Sequence, residues 1–123
     1  KVNVSDFERT TLDALDRPEL VGGIESAAQA FFHAGKKLNN GKLLDYLWKF
    51  DDSALARRIG YLGDLLRLDL SKDLKAYLRT QVSRNPAYLG SPSRWGKDGA
   101  HDKNWNLIVN VPKEELMGEV RIG

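Results

Sequence analysis

The side chains able to do acid–base, metal or nucleophilic chemistry in this chain are few and poorly grouped. Its two histidines, His33 and His101, lie far apart, and no metal-ligand spacing joins them. Asp102 follows His101, but neighbours along a chain seldom face each other, and no G-x-S-x-G motif is present to use such a pair. Asp51-Asp52 and Glu114-Glu115 are paired carboxylates, each placed where a helix should begin, so the helix dipole accounts for them without catalysis. There is no cysteine, which removes disulfides, thiolate metal sites, iron–sulfur clusters and cysteine nucleophiles together. The glycines at 22 and 23, and at 96 and 99, fit neither a phosphate-binding loop nor a dinucleotide fingerprint. These residues point away from an enzyme, and no cofactor or metal is expected.

Binding chemistry is better represented. The net charge is only +2, but it is unevenly spread: residues 1–70 hold ten basic and eleven acidic groups, and residues 71–123 hold nine and six. Between Lys72 and Lys103, the cations Lys72, Lys75, Arg79, Arg84, Arg94, Lys97 and Lys103 face only Asp73, Asp98 and Asp102. Tyr88, Trp95 and Trp105 are interleaved with them. Aromatic faces stack on bases or on a partner's side chains, while Arg and Lys neutralise phosphates or carboxylates, so Arg84, Arg94, Trp95, Lys97 and Lys103 are candidate contacts for nucleic acid or a protein partner. The competing reading is a solvated surface on which Tyr88 and Trp95 pin a loop to the core. Arg57 and Arg58 join the candidates. They lie in a small-residue stretch, Ser53 to Leu62, that looks like a DNA recognition helix, yet Leu55, Ile59 and Leu62 bury one face and no short glycine-bearing turn precedes it. The expectation is a core helix that exposes both arginines.

These residues must be positioned by helices and one strand. Ser5-Asp6-Phe7-Glu8 has the spacing of a capping box, which predicts a helix from Ser5, continued by Phe7, Thr11, Leu12 and Leu15 until Pro18 bars it beyond about Asp16. Val2 and Val4 around Asn3 suit a strand. After Gly22-Gly23, the residues Ile24, Ala27, Ala28, Phe31, Ala34 and Leu38 form one helical face, and Asn39-Asn40-Gly41 reads as its stop. A third helix carries Leu43 to Phe50. Asp51-Asp52-Ser53 should cap a fourth bearing Leu55, Ile59, Leu62 and Leu66, in which Gly60 and Gly63 suggest close approach of another backbone. Ser71 should cap a fifth with Leu74, Tyr77, Leu78 and Val82. From Asn85 to about Asp102 turn formers dominate, which predicts a long loop. Trp105 to Val111 then alternates as a strand that Pro112 ends, followed by a helical turn at Lys113 to Met117 and a short strand at Glu119 to Ile122.

The expected fold class is α+β and mainly helical, with about five helices packed beside a small C-terminal sheet that uses Trp105 to Val111 and Val2 to Val4. With 123 residues, of which 41% are hydrophobic and 29% charged, the composition is that of one ordinary globular domain, 1–123. The longest apolar runs are a few residues, as in Leu107-Ile108-Val109, far short of the roughly 20 that a spanning helix needs. A first residue of Lys1 and a sole methionine at Met117 lead to the expectation of a piece of a longer protein.

Four stretches, in order, carry a family resemblance: Val4 to Leu15 (VSDFERTTLDAL), Pro18 to Gly23 (PELVGG), Ala54 to Leu62 (ALARRIGYL) and Trp105 to Val111 (WNLIVNV). Together they resemble the C-terminal domain of antitoxins of the AbiE type, which belong to type IV toxin–antitoxin systems. The resemblance implies a cytoplasmic, non-enzymatic antitoxin and transcriptional regulator with no cofactor. Such proteins join an N-terminal winged helix, which represses their own operon, to a C-terminal domain that counteracts a nucleotidyltransferase-like toxin. In the founding type the toxin is not tightly bound, whereas relatives can bind theirs directly, so the resemblance leaves direct contact open. The winged helix is not among these residues, so operator DNA is a partner of the parent protein. The four stretches fall mostly on core and turn positions and carry no residue-level site. The alternative function is a stand-alone nucleic-acid-binding domain that uses the basic stretch 72–103.

Overall fold

The computed structural model describes residues 7–118. Among these, seven α-helices and a three-stranded sheet bear out a mainly helical α+β fold. Helix α1, Phe7–Asp16, buries Thr11, Leu12, Ala14 and Leu15, and ends two residues before Pro18 as the missing N–H requires. The predicted starts at Ser5 and Val2, and the terminal strand at Glu119 to Ile122, lie outside the described residues. Glu8 was expected to close a capping box with Ser5. Ser5 lies outside the described residues; the Glu8 carboxylate faces the start of the third helix, where Oε2 accepts a hydrogen bond from the Asn39 N–H at 2.8 Å and Oε1 lies 3.7 Å from Lys42 Nζ.

A single 3-10 turn, Pro18–Val21, leads to Gly22 and Gly23, whose φ values of 98° and 115° belong to the left-handed region that only glycine enters cheaply. Helix α2, Ile24–Ala34, packs Ile24, Ala27, Ala28 and Phe31 into the core and passes into a 3-10 turn, Gly35–Lys37. Asn39-Asn40-Gly41 is not a stop but a start. The Asn39 side chain accepts from the Lys42 N–H at 3.0 Å and caps α3, Asn40–Phe50. Asparagine serves at either end of a helix, and the extended backbone of Leu38 (φ −74°, ψ 134°) decides for the N-cap.

The remaining helices follow their caps. Asp52 accepts from the Leu55 N–H and opens α4, Ser53–Leu65; Ser71 accepts from the Leu74 N–H and opens α5, Lys72–Thr80. Helix α4 is buried on most of its circumference, including Leu55, Ala56, Arg57, Ile59, Gly60, Leu62 and Gly63. A Cβ at Gly60 would collide with the six-membered ring of Trp105, so the close approach read from this glycine is that of an indole rather than of a backbone; Gly63 likewise receives the Leu70 side chain.

The long loop expected after Arg84 is largely ordered into β1, Ala87–Tyr88, a helical turn α6, Pro92–Trp95, and β2, Ala100–Asp102. These flank β3, Leu107–Val109, in the order β1-β3-β2, with β1 parallel to β3 and β2 antiparallel to it. Strands of two or three residues are too short to show a period, which is why composition alone pointed to a loop. The strand read from Trp105 is correspondingly shorter, since Asn106 at φ 51° turns the chain before Leu107. Helix α7, Lys113–Met117, closes the described chain, with Leu116 buried and its carbonyl bonded to Gln29 on α2.

Trp105 is 5% exposed and donates its indole N–H to Asp64 Oδ2 at 2.9 Å, while the Arg79 guanidinium lies 4.9 Å above the ring. Trp95 is half-buried, and Trp48 is 66% exposed. Truncation of a buried Trp costs about 3–5 kcal/mol, so denaturant melts should rank Trp105→Ala as the most damaging, Trp95→Ala next and Trp48→Ala last. A larger loss for Trp95→Ala than for Trp105→Ala would contradict this core.

Candidate functional site

The structure brings three of the candidate contacts, Arg58, Arg94 and Trp95, into one cleft of about 490 Å³, where the Pro18–Val21 turn and the start of α2 meet the Leu89 to Trp95 segment. Gly23 is what lets the two walls meet. Its missing side chain leaves room for an ion pair, because a Cβ there would collide with Arg94 Nη1 and Glu25 Oε1. Arg94 spans the gap, with Nη1 donating to Glu25 Oε1 at 3.1 Å and to the Gly22 carbonyl at 3.2 Å, and Nη2 donating to Glu25 Oε2. This two-pronged pairing is the strong form of an Arg–carboxylate contact. The same guanidinium lies 4.7 Å over the Trp95 ring.

The Leu89 to Trp95 wall is held by a residue that the sequence did not single out. Asn110 is buried, and its amide makes three hydrogen bonds: Nδ2 donates to the Gly90 and Gly96 carbonyls at 2.9 and 2.8 Å, and Oδ1 accepts from the Gly90 N–H at 2.9 Å. A buried amide with this much of its capacity satisfied fixes a loop in one conformation. An asparagine placed where an apolar residue would otherwise follow β3 is the only trace of it in the sequence.

Arg58 enters the cleft from α4. Its Nη1 donates to the Leu15 carbonyl at 3.2 Å, and its buried Nε finds no partner among the described residues. Burial pulls its pKa down, opposed by the charges of Asp52, Asp16 and Glu19. Asp16 is pushed the other way: its carboxyl pKa is raised, first by burial and then by the neighbouring Asp52 carboxylate, with Arg58 pulling against both. Between the lining residues Glu19 and Gly22, Leu20 and Val21 are exposed at 66% and 44%. The cleft thus offers an aromatic face, two arginines already engaged with backbone or carboxylate, and an apolar edge, which is the chemistry of a protein contact rather than of a bare anion site.

The other candidates are elsewhere. Arg57 was expected to be exposed with Arg58, but it is only 4% exposed, and its Nη1 donates to the carbonyls of Asn85 and Asn106 at 2.9 and 3.1 Å. It is a clamp inside the fold and presents no surface for DNA. Arg84 and Lys103 are exposed, and the segments that carry them are tied together where the Asn106 amide bonds the Ser83 carbonyl and Arg79 bonds the Asn104 carbonyl. Lys97 is exposed in the turn after α6. His101 and Asp102 do not pair: His101 Nε2 meets Asn106 Oδ1 at 2.6 Å, and Asp102 accepts from the Trp105 N–H at 2.9 Å. His33 is exposed on α2. Among the described residues no three His, Asp or Glu side chains are grouped to hold a metal ion, and no helix is long and apolar enough to cross a membrane. The chain matches no protein-family model, no curated protein and no solved structure.

A carboxyl whose folded pKa is raised binds its proton more tightly in the native state, so its contribution to stability falls as pH rises above the ordinary aspartate range. The stability of the wild type relative to Asp16→Asn should therefore decline across that window and stay at its lower level toward neutrality. Melting temperatures of both proteins measured against pH check this; a wild type that gains on the variant as pH rises would contradict it.

Proposed function

We propose that this chain is the antitoxin module of a toxin–antitoxin pair of the AbiE type. It works without catalysis, in the cytoplasm, against a nucleotidyltransferase-like toxin, and within its parent protein it belongs to a repressor of its own operon. What supports the reading is that the four stretches carrying the resemblance are in contact around α4. From the third stretch, Arg58 bonds the Leu15 carbonyl of the first, and Arg57 bonds the Asn106 carbonyl of the fourth. Trp105 of the fourth fills the place left by Gly60, and Pro18, Gly22 and Gly23 of the second line the cleft beside Arg58.

The surface offered to a partner in this reading is the cleft and its rim, Leu20, Val21 and Trp95. Cells expressing the cognate nucleotidyltransferase-like toxin should regain growth when this chain is co-expressed. Leu20→Ser with Val21→Ser, both at exposed positions, should lower survival at least about tenfold while leaving the melting curve unchanged. Failure of the wild-type chain to rescue overturns the reading, and full rescue by the double variant removes the rim from the antitoxin surface.

The exposure of Arg84 and Lys103 on segments that meet at the β2–β3 turn favours the second reading, a nucleic-acid-binding domain. There, affinity would fall by roughly 0.9 log units per log unit of salt for each phosphate neutralised. Absence of DNA binding by the chain at low salt removes that alternative.

A further inference from the structure

A second cleft, of about 630 Å³, opens where the Gly35–Lys37 turn meets the end of α4, and it shares no lining residue with the Arg58–Arg94 cleft. Lys36, Lys37 and Arg67 line it against one carboxylate, Asp69. The side chains of Lys36 and Arg67 are exposed and make no hydrogen bond or ion pair among the described residues. The floor is apolar, formed by Leu38 and Leu68 next to the half-buried Phe32 ring, and the exposed His33 imidazole stands edge-on to Phe32 at 5.6 Å between centroids.

Arg67 is held there against its backbone preference. Helix α4 ends in a turn in which the Leu68 N–H bonds the Gly63 carbonyl at 2.9 Å, and the left-handed position of such a turn ordinarily belongs to glycine. Arg67 occupies it at φ 56°. Glycine would relieve the strain, so the turn itself does not call for an arginine.

We propose that this cleft binds a nucleoside phosphate. Lys36 meets the phosphates as a point charge and Arg67 as a planar fork, while the base lies on the apolar floor beside Phe32 and His33. The excess of cations over carboxylates selects a polyanion, the rings give its aromatic part a face, and the volume suits a ligand of nucleotide size. A flat basic stripe would suit a nucleic-acid backbone; a concave site with an apolar floor suits a single nucleotide.

Amide-resolved NMR titration of the 123-residue chain with ATP, adenosine and inorganic tripolyphosphate tests the assignment. ATP should bind saturably, with shifts concentrated in residues 32–40 and 66–69, and adenosine and tripolyphosphate should each bind at least about tenfold more weakly. Arg67→Gly, which suits the turn, should raise the melting temperature and yet weaken ATP at least about tenfold; Lys36→Glu, at an exposed position, should weaken it similarly with the fold unchanged. No saturable shifts with ATP, shifts centred elsewhere, tripolyphosphate binding as tightly as ATP, or unchanged ATP affinity in both variants would overturn the proposal.

Discussion

A guanidinium removed from water is the constraint around which this molecule is arranged. Arg57 sits on α4 with nearly all of its surface buried, and a buried charge is tolerated only where fixed dipoles replace its hydration. Here the carbonyls of Asn85 and Asn106 do so at Nη1, while the buried Nε finds no partner among the described residues, and the two carbonyls belong to the segments that lead into β1 and β3. The charge cannot be satisfied unless the sheet is seated against the helix. Three residues further along, Gly60 leaves room for the Trp105 ring, whose N–H is bonded to Asp64 on the same helix. Sheet and helix layer are thereby one unit, although strands of two and three residues would have no stability alone.

The next residue in the chain reaches the opposite way. Arg58 bonds the last turn of α1, so consecutive arginines fasten α4 to the C-terminal sheet and to the N-terminal helices. The candidate cleft lies across that junction. Its walls are closed by the Arg94–Glu25 pair over Gly23, whose arginine side chain stays half exposed, and by the buried Asn110 amide. Arg94, paired with Glu25, and Asn110, with its three hydrogen bonds, leave little side-chain freedom along these walls.

Much of the helical part is legible from residue spacing. Pro18, Asp52 and Ser71 mark boundaries that the structure keeps, and the stripes of α2, α4 and α5 face the core as their periods require. Asn39 is ambiguous by nature, since the same side chain caps both ends of helices. The short strands escape because two or three residues cannot display alternation. Arg57 escapes because a charged residue on a helix reads as surface unless its carbonyl partners, here 28 and 49 residues away, are known. The site is legible in part. Arg94 and Trp95 announce themselves by charge and aromaticity, whereas Asn110, which orients them, looks like any polar residue at a strand end.

If α4 joins sheet and helices as one cooperative unit, the most direct measurement is native-state hydrogen exchange as a function of denaturant. The amides of Ile59 to Leu62 should share one opening free energy with those of Leu89, bonded to Ile108, and Gly90, bonded to Asn110. Leu89 and Gly90 opening together at lower free energy, while α4 stays closed, would contradict the account.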